Sequence, residues 1–111
     1  MTKFLAVYMG SPDMAGQRPD DATMKRGIAA WHKWMHDHAK AVVEQGGPLG
    51  KTKKIGKGGV SDIKNAMTGY VVVEADSHEA AAKMFEGHPH FAIFPGDRVE
   101  VMECLPIPTG P

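Results

Sequence analysis

Two histidines flank a proline near the end of the 111-residue chain, at His88-Pro89-His90. Imidazole is the side chain best suited to proton transfer near neutral pH and to metal ligation. Pro89 fixes its own φ and restricts the residue before it, so a stiff loop is predicted here. A stiff loop suits an acid–base group that must be held in position. We interpret His88 and His90 as candidate catalytic residues; the alternative is a structural loop whose imidazoles bond backbone carbonyls.

Three more histidines, His32, His36 and His38, lie on a predicted long helix. His32 and His38 border its apolar stripe, and His36 lies nearer its flank. His32 and His36 are one turn apart, so a divalent metal held jointly with the His-Pro-His loop is an alternative to proton transfer. No cofactor is predicted. Asp62, in a glycine-bordered loop, is a candidate to orient a histidine. The catalytic candidates are therefore His36, His88, His90 and Asp62.

Aromatic side chains supply the candidate ligand contacts. Trp31 lies on the apolar stripe and is predicted to be core, whereas Trp34 lies off the stripe and is predicted to line a cleft or a dimer contact. Tyr8 and Tyr70 are predicted to lie on neighbouring strands and to present their hydroxyls to the same space. The ligand-binding candidates are Tyr8, His32, Trp34 and Tyr70.

Composition excludes several function classes. Thirteen basic and thirteen acidic residues cancel, which removes the global electrostatic argument for a nucleic-acid or membrane partner. The lysine-rich segment from Lys51 to Lys64 contains no aromatic residue and is interpreted as a solvated edge.

The single cysteine, Cys104, excludes an intramolecular disulfide and is expected to be buried. With no secretory signal and no long apolar run, a cytoplasmic location is predicted.

Hydrophobic periodicity and turn residues predict a strand, a helix, two strands, a helix and a strand. The N-terminal cap of the long helix is predicted at Asp20 or Asp21, and that of the second helix at Asp76. The segment Gly56–Gly59 is predicted to be a flexible loop. The predicted elements cover residues 4–9, 22–45, 49–55, 69–75, 80–85 and 98–105.

This order is that of the ferredoxin-like βαββαβ fold, an α+β class with a four-stranded antiparallel sheet and two helices on one face. Residues 1–111 are predicted to form a single domain. The first and third strands are apolar at consecutive positions, so both of their faces are predicted to avoid water. Because two helices cover only one face, we expect a homodimer with the two sheets packed face to face.

Several motifs follow one another along the chain: Trp31, Trp34, Gly47-Pro48-Leu49-Gly50, Thr68-Gly69-Tyr70, Gly87-His88-Pro89-His90 and Val99-Glu100-Val101-Met102-Glu103. In these motifs and their order, the chain resembles the YCII-related family of dimeric α+β barrel proteins, in the branch that carries a Gly-His-Pro-His motif. The resemblance implies a ferredoxin-like protomer, a barrel-forming dimer and a histidine–aspartate pair in a cleft. The helical histidine of that pair would be His36; Gly50 and Lys51 stand where the aspartate is expected, and Asp62 is the nearest substitute.

Two functions remain open at this point. The first is a small-molecule-binding protein or enzyme whose histidine-containing cleft performs acid–base chemistry on a small organic compound. The second is a non-catalytic dimeric module that binds a regulatory ligand or a protein partner. The first predicts that at least two of the catalytic candidates converge on a concave space.

Overall fold

The computed structural model describes residues 1–10 and 18–109. A four-stranded antiparallel sheet is formed by β1 (Thr2–Met9), β2 (Val42–Pro48), β5 (Met67–Ala75) and β6 (Arg98–Glu103), in the order β2-β5-β1-β6. A separate hairpin pairs β3 (Thr52–Gly56) with β4 (Gly59–Ile63). The helices are α1 (Asp21–Asp37), α2 (His78–Lys83) and α3 (Pro89–Ala92). The predicted ferredoxin-like α+β class is confirmed, with the hairpin inserted between the second and third strands of the sheet.

The hydrophobic core lies between one face of the sheet and the helices. Alternate residues of a strand point to the same face, so Phe4, Ala6 and Tyr8 of β1 face the core together. Trp34 of α1 and Phe85, which follows α2, pack against them. The sheet and helix residues of the core are Phe4, Ala6, Tyr8, Trp34, Val71, Val73, Ala75, Ala81 and Phe85.

The opposite side of the sheet, which we call the open face, carries Leu5, Val7, Val72 and Met102. Leu5 lies beside Val72 on one side and Met102 on the other. Val7 is buried, Leu5 and Val72 are half-buried, and Met102 is exposed. The expectation that apolar side chains occupy both faces of the central strands is therefore confirmed.

The largest error in the predicted elements is the length of the first helix. The helix was predicted to reach Gln45 but ends at Asp37, and Val42 already belongs to β2. Val42 pairs with Val73 of β5, and the amide of Glu74 donates to the carbonyl of Ala41. Val42 continues the helical spacing and is also a β-branched strand residue, so periodicity alone does not show where the helix ends. The strand predicted at residues 49–55 is consequently β3 of the hairpin.

Several local predictions need correction. Asp62 lies in strand β4 rather than in a loop. The segment Gly56–Gly59 forms the turn that joins β3 to β4, and its flexibility stays a prediction. Cys104, expected to be buried, is exposed because it follows the end of β6. The cap of α2 is Ser77 rather than Asp76, since the Ser77 side chain accepts from the amide of Ala80 at 3.0 Å.

The predicted N-terminal cap of the first helix is confirmed. Asp20 caps α1, with its carboxylate accepting from the amide of Thr23 at 2.7 Å. This hydrogen bond lowers the pKa of the Asp20 carboxyl below its ordinary value.

Across the described residues, every helix is too short or too polar to cross a membrane.

Candidate functional site

The predicted His-Pro-His loop contains a single helical turn, α3. His88 is its N-cap, and Pro89 occupies the first turn, where no amide hydrogen is needed. Gly87 enters the turn with a φ of 69°, which a residue with a side chain rarely adopts. The Nδ1 atom of His88 accepts a hydrogen bond from the amide of His90 at 3.0 Å. The local sequence therefore folds so that the His88 ring is turned inward and held by its own helix cap.

The His88 side chain is wholly buried among aromatic rings. The centroid of its ring lies 4.6 Å from that of Trp31, 4.9 Å from Trp34 and 5.1 Å from Tyr8. Burial in these surroundings penalises the charged imidazolium and lowers the pKa of His88 to about 3. His90 and His38 lower it further by charge repulsion. His88 is therefore a neutral imidazole at physiological pH.

The hydrogen bonds of His88 determine which nitrogen carries its proton. A backbone amide only donates, so Nδ1 must accept from His90, and the proton of the neutral ring must be on Nε2. The Nε2 atom lies 3.4 Å from the hydroxyl oxygen of Tyr8. His88 thus donates to Tyr8 in a long hydrogen bond, and the Tyr8 hydroxyl can direct its own proton only to a different acceptor.

Tyr8 lies on the central strand β1 and is almost fully buried. Burial raises the pKa of its phenol well above the ordinary value. Its ring contacts Trp31, with centroids 4.8 Å apart. At neutral pH, Tyr8 is consequently an uncharged hydrogen-bond donor in apolar surroundings, where each hydrogen bond is stronger than in water.

His90 is bound to the backbone of β1. Its Nε2 atom lies 2.8 Å from the carbonyl oxygen of Met9, and because a carbonyl only accepts, Nε2 must donate. The adjacent Gly96 leaves no room for a side chain, since an added Cβ would collide with the His90 ring. His90 therefore acts as a positioning residue that anchors α3 to β1, the strand that carries Tyr8.

A cavity of about 260 Å³ opens beside Tyr8, between α1 and one end of the sheet. Trp31 forms one wall, and the end of β2 with the start of β5 forms the other. Its described lining residues are Tyr8, Trp31, Gln45, Gly47, Pro48, Thr68 and Tyr70, and they include no charged side chain.

The rim of this cavity carries a second tyrosine. The Tyr70 hydroxyl donates to Glu44 Oε1 at 3.0 Å, and this carboxylate raises the pKa of the Tyr70 phenol. The ring lies next to Gly46, which has a φ of 65° and where an added Cβ would collide with the backbone carbonyl of Tyr70. Close approach of β2 to β5 at Gly46 thus shapes the rim.

The remaining predicted site residues lie apart from this cluster. His32 and His36 are exposed on α1, and Asp62 is exposed on the hairpin, where it pairs with Lys53 at 2.6 Å. Across residues 1–10 and 18–109, no three His, Cys, Asp or Glu side chains are arranged to hold a metal ion. The structure brings together Tyr8, His88 and His90.

The two tryptophans are placed in the reverse of the predicted order. Trp34 is buried in the core, where its Nε1 donates to the carbonyl of Met84 at 2.8 Å. Trp31 is half-buried and lines the cavity. The buried residues of α1 are Gly27 and Trp34, so the face packed on the core is centred closer to Trp34 than the predicted apolar stripe is. Gln45 and Thr68 were missed because both are ordinary polar residues with no spacing signal.

Comparison with known proteins identifies a similar fold. No family model matches the chain, and no curated protein matches its sequence. Among solved structures, the chain is similar to 5-chloro-2-hydroxyhydroquinone dehydrochlorinase (TftG) from Burkholderia phenoliruptrix AC1100 in complex with 2,5-dihydroxybenzoquinone. The two share 19% sequence identity over 89% of each chain, with a TM-score of 0.54. At this identity, the similarity shows the fold alone.

Proposed function

We propose that this protein binds a small, uncharged, planar organic compound in the cavity beside Trp31, and that Tyr8 donates a hydrogen bond to an oxygen of that compound. The observation that carries the proposal is Tyr8, a lining residue of the cavity whose hydroxyl accepts from the buried, neutral His88. Since that hydroxyl accepts from His88, its own proton must go to a different acceptor, and we propose that this acceptor is the ligand oxygen.

The size of the cavity favours a single-ring compound. Pockets for drug-sized ligands occupy roughly 300–1,000 Å³, and this cavity, at about 260 Å³, is smaller. Trp31 offers a flat indole surface at its wall. A planar ring that stacks on the indole would place an oxygen substituent toward Tyr8.

The charge of the cavity favours a neutral ligand over an anion. The described lining holds no cationic side chain, and the Glu44 carboxylate lies just beyond Tyr70. His88 supplies no positive charge, because its pKa is about 3. An anion would lose its hydration without gaining a cationic partner, which disfavours binding.

The acid–base chemistry predicted from the sequence takes a specific form here. A hydrogen bond from Tyr8 to a carbonyl oxygen polarises that carbonyl and stabilises negative charge that develops on its oxygen. His88 serves this step as a positioning residue, since its Nδ1 is used by the His90 amide. The catalytic roles predicted for His36, His90 and Asp62 stay predictions.

The similar solved structure supports the proposed size and shape of the ligand. TftG is named for a reaction of a chlorinated hydroxyhydroquinone and was solved with 2,5-dihydroxybenzoquinone, a small planar ring that carries oxygens. We further propose that the chain belongs to the YCII-related family and forms a homodimer through its open face, where Leu5 and Val72 are only half-buried. The cytoplasmic location stays a prediction.

The two indole N–H signals in an ¹H–¹⁵N NMR spectrum test the proposal directly. Acetophenone is a neutral carbonyl probe, and benzoate is its anionic analogue of similar shape. We expect acetophenone to shift the Trp31 signal while the Trp34 signal, held by Met84, stays in place. Benzoate should shift neither. Equal shifts with benzoate, or a Trp34 response without a Trp31 response, would overturn the assignment of the cavity.

A further inference from the structure

We propose that the β3–β4 hairpin is an arm that docks onto a second copy of this chain. This inference goes beyond the proposed ligand cavity and beyond the contact between open faces. It rests on how the hairpin is exposed, on which side chains share its two faces and on how charge is distributed along the chain.

The hairpin projects from the rest of the molecule. The chain has a radius of gyration of 15.9 Å and extends 56 Å along its longest axis, whereas a compact chain of 100 residues has a radius of about 13 Å. All residues of β3 and β4 are exposed except Thr52, which is half-buried. The two strands pair chiefly with each other.

An isolated hairpin of this kind lacks a source of stability. Two strands without a third strand or a covering helix are marginal in water, because no apolar face is buried. Besides their backbone pairing, the two strands are joined by the ion pair between Lys53 and Asp62, and exposed ion pairs contribute at most about 1 kcal/mol. A second surface that covers the hairpin would supply the missing burial.

One face of the hairpin carries an apolar pair near the turn. Ile55 and Val60 lie directly opposite each other, with 74% and 65% of their surfaces exposed. They share this face with the Lys53–Asp62 pair. This pair forms a small apolar patch at the end of a projecting element, which a docked partner would cover.

Charge complementarity favours a second copy of the chain as the partner. The segment from Lys51 to Lys64 holds five lysines and one aspartate, which gives it a net charge of +4. Because the whole chain is neutral, the remainder carries −4. The arm of one copy is therefore attracted to the body of another. The segment contains no aromatic residue to stack on bases, which disfavours a single-stranded nucleic acid.

A zero-length carbodiimide cross-linking experiment on an equal mixture of ¹⁴N- and ¹⁵N-labelled full-length protein tests this inference without any variant. We expect mixed-isotope cross-links that join Lys53, Lys54 or Lys57 of one copy to a carboxylate outside residues 51–64 of the other. Cross-links found solely within one isotope, or solely between two hairpins, would overturn the proposal.

A double variant tests the apolar contact. Ile55→Thr with Val60→Thr removes the aliphatic surface but keeps β-branched residues that favour a strand. We expect the dimer dissociation constant, measured by sedimentation equilibrium, to rise at least tenfold. The matched control is Ile63→Thr, on the other face of the same hairpin, which should change the constant less than threefold.

The outcomes separate this inference from the others. If the double variant dimerises as the wild type does, the arm is not a docking element, although the open-face contact and the ligand cavity stand. Weaker dimerisation at high salt in the wild type, together with the tenfold loss, supports the proposal. A wild-type protein that is monomeric, or whose arm binds an oligonucleotide or anionic vesicles instead of a second copy, overturns it.

Discussion

The imidazole of His88 lies 3.4 Å from the hydroxyl of Tyr8, although 80 positions separate the two residues in the chain. Tyr8 is fixed by the central strand, and His88 is fixed by the cap of the short helix α3. Because both elements are held independently, the phenol is oriented before any ligand arrives. Such pre-organisation of a donor is what makes an electrostatic contribution to binding or catalysis effective.

Tyr8→Phe removes the proposed donor and retains the ring that packs against Trp31. We expect the affinity for acetophenone to fall about five- to tenfold, since a neutral hydrogen bond contributes roughly 1 kcal/mol. Titration followed by the Trp31 indole signal gives the affinity. Tyr70→Phe is the control at the rim, because its hydroxyl is engaged with Glu44, and it should change affinity less than twofold. An unchanged affinity in Tyr8→Phe would contradict the role given to this hydroxyl.

His88 should make the stability of the protein depend on pH. Its folded-state pKa is about 3, whereas an unfolded histidine has the ordinary value of about 6.5. The unfolded state therefore binds one more proton between these values, so stability is fully present above pH 6.5 and falls as pH decreases toward 3. The titration of His88 changes the free energy of unfolding by at most about 1.4 kcal/mol per pH unit.

Urea unfolding between pH 4.5 and 7.5 measures this slope. His88→Asn keeps an acceptor that can face the His90 amide but does not titrate, so its unfolding free energy should vary less with pH than that of the wild type. His36→Gln, at an exposed position on α1, should keep the wild-type slope. A wild-type slope in His88→Asn would show that another group is responsible.

Sequence reasoning identified the strands of the sheet core because their signal is local. Three consecutive valines in β5 and the apolar run in β1 are typical of buried strands in any context. The end of α1 and the start of β2 near Val42 could not be found in this way, because a β-branched residue at a helical spacing fits both the helix pattern and the strand pattern. Val42 is in a strand because it pairs with Val73, which lies far from it in the sequence.

The site was predictable only in part, for a similar reason. His88 and His90 were identified by their type and by the proline between them, and Tyr8 by its place on a strand. That Tyr8 and His88 meet depends on tertiary packing. The prediction also grouped Asp62 with the histidines, since sequence spacing did not reveal that Lys51 to Lys64 contains an extra hairpin that carries Asp62 outward.

Gly27 tests the packing behind the cavity wall. A Cβ at this buried position on α1 would collide with the ring of Phe94, which lies beside Trp31 with centroids 6.1 Å apart. Gly27→Ala should therefore destabilise the protein by about 1–3 kcal/mol through overpacking, although alanine is favoured over glycine in a helix by about 1 kcal/mol. Gly50→Ala, which has open space around its Cβ, should be neutral in thermal unfolding. A stabilised Gly27→Ala would mean that the Phe94 ring moves freely.

Met102 tests the open-face dimer. Its side chain is 41% exposed and lies beside Leu5 on the open face, opposite the face that packs against the helices. In a dimer formed through this face, a lysine at this position would bury an unpaired charge, which costs several kcal/mol. Met102→Lys should therefore raise the dimer dissociation constant more than a hundredfold in sedimentation equilibrium. Ala29→Lys, on the exposed surface of α1, adds the same charge and should leave the constant nearly unchanged. If both variants dimerise equally well, the sheets do not pack face to face.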